Sequence, residues 1–137
     1  MGERRKSREY ALQALYAIDA SKALADDALR LFWFSNPEES AEVRSFTEEL
    51  VKGVALRGEE IDSVITGLST NWKLSRMAIV DRNILRMAIY ELQWCKDIPA
   101  RVTLNEAIEL AKQFGTEESG SFVNGILDKV AKTLNKE

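Results

Sequence analysis

The strongest constraint on this chain is the spacing of its apolar residues, which recur at three- and four-residue intervals in nearly every window. Ala11, Ala14, Leu15 and Ile18 form one such stripe, and Val43, Phe46, Leu50, Val51 and Val54 another. Ile61, Val64, Ile65 and Leu68 repeat the pattern, as do Leu85, Ala88, Ile89 and Leu92. Near the end come Ala107, Ile108, Ala111 and Phe114, then Phe122, Val123, Ile126, Leu127, Val130 and Leu134. That period turns one face of a helix toward a core. With only two prolines, the helices meet few breakers. No segment alternates with period two as a strand would. Even Asn124-Gly125, a common hairpin pair, lacks alternating flanks and reads as helix, with a close helix–helix contact to compensate its glycine.

The expectation is therefore an all-α fold of six or seven helices with short loops, in one domain spanning residues 1–137. The first helix is expected from Arg4 to Ala20 and a short second one from Leu24 to Phe34. Asn36 is placed as an N-cap, with Pro37 in the first helical position and Glu39 closing a capping box. That helix runs to Arg57, with a break at Gly58. Asn71-Trp72-Lys73-Leu74 reads as a connector with one or two buried side chains. A strong helix follows from Ile79 to Trp94. Thr103-Leu104-Asn105-Glu106 reads as a capping box, Gly115 as a left-handed C-cap, and the last helix starts at Glu117 to Ser119.

What the chain lacks narrows its chemistry. It has no histidine, which removes the commonest general base, the usual zinc ligand and the usual partner of a nucleophilic serine. Its glycines form no phosphate-binding loop. The lone Cys95 has no histidine to activate it and reads as inert packing in a reducing cytoplasm. No stretch approaches the ~20 apolar residues of a membrane span. The reading is a cytoplasmic binder without catalytic residues or a cofactor.

Its charge is uneven. The net value is −3, yet Arg4, Arg5, Lys6 and Arg8 crowd the start. Between Glu38 and Asp62, eight acids oppose three bases. Cations of this kind position nucleic-acid backbones through phosphates. Four of them would give a single-strand salt slope of only about −3, too little for tight binding by charge alone. A second candidate lies in Gly115–Phe122, where a helix start could receive phosphate and Phe122 could stack on a base. Phe122 equally fits a core position. Asp81, Glu117 and Glu118 would attract a basic partner, which could supply the missing positive charge.

Three stretches resemble the NusB family: RRKSREYALQALY at residues 4–16, ILRMAIYEL at 84–92, and NEAIELAKQFGTEESGSFVNGILDKV at 105–130. Between residues 20 and 75 the match is in helical character alone. The resemblance implies two packed three-helix bundles and an antitermination factor without enzymatic activity. It also implies binding to boxA RNA of nascent ribosomal transcripts together with the ribosomal protein NusE, in an RNA polymerase antitermination complex. Arg4, Arg5, Lys6, Arg8, Glu118, Ser119 and Phe122 match the family's RNA-binding positions. Tyr16, Asp81 and Tyr90 match positions on the NusE side. Asp81 is a methylene shorter than the glutamate often found there. Two rival readings remain. One is an accessory domain of a ribosomal RNA cytosine methyltransferase, for which 137 residues are expected to leave no room. The other is a homodimeric storage form joined through Leu31-Phe32-Trp33-Phe34, residues that otherwise read as core.

Overall fold

The computed structural model describes residues 2–69 and 73–136, and within them every regular element is helical. In chain order these are α1 (Glu3–Ser21), α2 (Ala25–Ser35), α3 (Ala41–Leu56), α4 (Gly58–Leu68), α5 (Ile79–Trp94), α6 (Ala100–Phe114) and α7 (Ser119–Thr133). A short 3-10 turn, Leu74–Arg76, precedes α5. The expected connector residues Asn71 and Trp72 lie outside the described residues.

The helices form two three-helix bundles, α1–α3 and α5–α7, as expected. α5 packs on α1 and α3 as well as on α6 and α7, and α4 bridges α3, α5 and α7. The sequence of α5 explains this central position. Its apolar residues cover more than half of its circumference, so Ile84, Leu85, Met87, Ala88, Ile89 and Leu92 are all essentially inaccessible.

Two polar networks fasten α5 to its neighbours. The Asp19 carboxylate on α1 accepts hydrogen bonds from Arg82 at 2.7 and 2.9 Å, and from Asn83 and Arg86 at 2.9 Å each. Arg86 also donates to Asp62 of α4. Further along, buried Glu91 accepts from Nε and Nη2 of Arg8 at 2.7 and 2.9 Å, and from Thr103 of α6 at 3.0 Å. The buried charges are thus paired and hydrogen-bonded, as low-dielectric burial requires. Lys136 closes the chain end by donating Nζ to the carbonyls of Glu91, Leu92 and Cys95 at the C-terminal turn of α5.

Several expected helix ends are corrected. Asn36 does not cap α3. It follows the last turn of α2 and donates its side-chain amide back to the Phe32 carbonyl. The cap is Ser40, whose Oγ accepts from the Val43 amide. α6 starts three residues before the expected cap at Thr103, with Pro99 as its N-cap. This leaves Thr103 inside the helix, where its hydroxyl donates to Glu91. Gly115 is not left-handed, having φ −100° and ψ −161°. Glycine is required there by space: an added Cβ would lie 2.5 Å from Ser119 Oγ and 2.8 Å from the Ala111 carbonyl oxygen. Gly125 has no close helix contact, since a Cβ there would meet open space. Among the aromatics of α2, Trp33 is buried and Phe32 half-buried, whereas Leu31 and Phe34 are exposed on the outer face.

Candidate functional site

Because α1 begins at Glu3, all four N-terminal cations stand on a helix and fan out by about 100° per residue. Arg4 and Arg8, one turn apart, both lie over the Phe46 ring, at 4.7 and 5.5 Å from its centroid. Arg5 points to α6 and grips Glu106 with two hydrogen bonds of 3.0 and 2.7 Å. Lys6 points the other way, to Glu39 at 2.8 Å in the loop before α3. These pairings stabilise the charged forms. The Glu106 carboxyl is held below its usual range by the hydrogen bond from Arg5, and Glu39 is lowered by Lys6. The Arg5 and Lys6 pKa values are raised by the same contacts.

The four cations are not equivalent. Arg4 is exposed, and besides its place over the Phe46 ring its one carboxylate contact is a 3.7 Å approach to the still more exposed Asp97. Arg5 and Lys6 keep part of their side chains at the surface. Arg8 is 4% exposed and enclosed by its Glu91 pair, so it faces the interior while the other three reach the surface.

The second candidate region is set by the close approach of Gly115 to Ser119. Ser119 is buried, and its Oγ accepts the Thr116 amide at 2.9 Å, holding the turn that launches α7. Its hydroxyl therefore supports the loop from within. Glu118 is the exposed N-cap residue. Phe122 is half-buried, packed on the core yet lining a surface hollow of about 310 Å³ with Arg76, Met77, Asp81, Glu118 and Ser119. Asp81 Oδ1 is enclosed there and has no hydrogen-bond partner among the described residues.

The three expected partner-side residues do not form one cluster. Asp81 and Tyr90 are nine residues apart on α5, two and a half turns, which places them on opposite faces. Asp81 joins the Phe122 hollow. Tyr90 stacks on Trp94 with ring centroids 5.6 Å apart and lies directly against Gly53 of α3. Tyr16 is exposed on α1.

The two candidate RNA regions are joined through α6. Glu106, which holds Arg5, and Gly115, which abuts Ser119, are nine residues apart, about 14 Å along the helix. Sequence reasoning missed Glu91, Glu106 and Glu39, the carboxylates that decide which arm cations are available. No spacing rule could reveal them, since Glu106 is 101 residues from Arg5 and Glu91 is 83 from Arg8. Cys95 is consistent with inert packing: burial, with Glu49 beside it, pushes its thiol up to about 12, far from a reactive thiolate. No group of side chains suited to a metal ion occurs among the described residues.

Comparison with known proteins gives a consistent picture. A family model described as NusB family matches residues 5–132. The transcription antitermination protein NusB of Anaeromyxobacter sp. (strain Fw109-5) is 53% identical over 98% of this chain and 94% of its own length. The protein of the same description from Geobacter sulfurreducens is 53% identical over 98% and 97%. Among solved structures, T. maritima NusB superposes with a TM-score of 0.88 at 36% identity, covering 96% of this chain and 92% of that one. A structure of the antitermination factors NusB and NusE in complex with dsRNA matches with a TM-score of 0.88 at 26% identity, covering 97% and 98%.

Proposed function

The chain belongs to the NusB family of transcription antitermination proteins, which are not enzymes, and from that premise we propose that it binds boxA RNA together with NusE. The observation that carries the proposal is the near full-length match to antitermination proteins, one relative of which was solved with NusE and RNA. In this reading the whole chain acts as one domain, in the cytoplasm, as part of the polymerase antitermination complex. No helix among the described residues is long and apolar enough to cross a membrane.

Within that function, Arg4, Arg5 and Lys6 contact RNA phosphates from the exposed side of α1. Arg8 anchors the same helix from below through Glu91. Phe122 offers the accessible part of its ring, Ser119 shapes the turn beneath it, and Glu118 sets a negative charge at the edge that weakens RNA approach. On the partner side, Asp81 pairs with a cation of NusE, and Tyr16 and Tyr90 contribute at separate points of the surface.

Filter binding of boxA RNA, single- and double-stranded, with and without NusE, tests this. Tighter binding of boxA than of a scrambled RNA, strengthened by NusE, is the expected result. Equal binding of boxA and scrambled RNA in every arm would overturn the proposal.

A further inference from the structure

The structure changes where freely available positive charge lies. The arm cations each face a carboxylate, and Arg5, Lys6 and Arg8 do so at 2.9 Å or less. A phosphate approaching Arg5 must compete with Glu106, and one approaching Lys6 with Glu39. By contrast, the side chains of Lys73, Arg76, Lys96, Arg101 and Lys129 are exposed and make no ion pair or hydrogen bond among the described residues. Cations of this kind neutralise phosphates without first giving up a protein partner, so they contribute most directly to counterion release.

Two of the five lie at the corner between α5 and α6, where Asp97 meets the start of α1. Lys96 lies in the tight turn joining α5 to α6, where the Ile98 amide donates to the Cys95 carbonyl. Arg101 is in the first turn of α6. The same turn carries Asp97, whose weak 3.7 Å contact brings Arg4 next to it. One turn further along α6, Glu106 holds Arg5. The start of α1 therefore rests against the α5–α6 corner, which carries the two exposed cations Lys96 and Arg101.

We propose that Lys96 and Arg101, together with Arg4, form a phosphate-binding patch at the α5–α6 corner that continues the RNA path beyond the N-terminal arm. The inference rests on the RNA-binding reading above and adds residues to it. Arg4 is the arm cation best placed to join them, because its single carboxylate contact is long and solvent-exposed at both ends. Arg101 offers a planar fork suited to two phosphate oxygens, whereas Lys96 acts as a point charge.

The test is the salt dependence of boxA RNA binding by the full chain with NusE, with circular dichroism confirming that each variant is folded. Each phosphate contact on a single strand contributes about 0.7 to the slope of log K against log salt. The double variant Lys96→Ala/Arg101→Ala should therefore flatten the slope by about 1.4. Arg101→Lys should keep most of its share, and Lys129→Ala, which removes the same charge from α7, should leave the slope unchanged. An unaltered slope in the double variant, or an equal change in Lys129→Ala, would overturn the patch while leaving the RNA-binding reading intact. Absence of specific boxA binding by the unmodified chain would instead overturn that reading, and the patch with it.

Discussion

Arg5 and Arg8 sit three residues apart on one helix, yet one meets solvent and the other is sealed against Glu91. The difference has measurable consequences. Arg8→Ala leaves a buried carboxylate with only Thr103 beside it and should lower folding stability by about 3–5 kcal/mol. Replacing Arg8 and Glu91 together by Met and Leu should cost less, because neither charge is then stranded. Urea unfolding of the three proteins measures this, and a loss under 1 kcal/mol for Arg8→Ala would contradict the buried-pair account. Asp19 gives a pH-dependent counterpart. Its carboxyl is held far below the usual 3.8, first by the hydrogen bond from Arg82 and then by Asn83 and the two arginine charges. A depressed folded-state pKa means that its stabilisation is complete above about pH 4 and is lost as pH falls below that value. Asp19→Asn should therefore be less stable than the parent at pH 7, with the gap narrowing below pH 4, as followed by thermal melts across that range. None of these pairings could be read from the sequence. It shows the basic cluster plainly, but the acids that pair with it are supplied by distant helices and loops.

The elements themselves were far more legible. Apolar spacing and the following proline placed α5 at about Ile79–Trp94, where it lies, and put the other helices within a few positions. The ends were harder, because several residues near each end carry capping chemistry and only packing selects among them. Asn36-Pro37 resembles a start for α3, but Ser40 is the residue whose hydroxyl reaches a helix amide. Thr103 has the right neighbours for a cap, but Pro99 starts α6 earlier and the hydroxyl is drawn to Glu91. Two glycines show the same division between local and tertiary causes. Gly115→Ala forces a methyl against Ser119 and the Ala111 carbonyl, and should destabilise by about 1–3 kcal/mol. Gly125→Ala enters open space in the middle of α7 and should stabilise by about 0.5–1 kcal/mol. Opposite shifts in melting temperature are the expected outcome. A stabilised Gly115→Ala would show that the turn can give way at little cost.

At the scale of the molecule, α5 belongs to both bundles, so neither has a complete core without it. The two should unfold in one transition. Far-UV circular dichroism reports all the helices, whereas the buried Trp33 lies in the α1–α3 bundle. In variants with Trp72 and Trp94 replaced by Phe, denaturation midpoints from ellipticity and from Trp33 fluorescence should coincide, and separated midpoints would mean that the bundles unfold independently. Packed helices were readable from helix count and loop length, and their division into two three-helix bundles from the family resemblance, whereas the central role of α5 emerges only from its contacts. The carboxylates facing the arm bear on how the surface works in a crowded cell. With Glu106 and Glu39 already seated on Arg5 and Lys6, the arm behaves as a self-occupied receptor: an incoming phosphate has to evict a resident rather than fill a vacancy. In the RNA-binding role proposed for the arm, brief encounters with arbitrary RNA are then poorly rewarded. A ligand that engages several points at once outcompetes both residents together, which makes the arm a filter against chance contacts as well as a handle for the intended one.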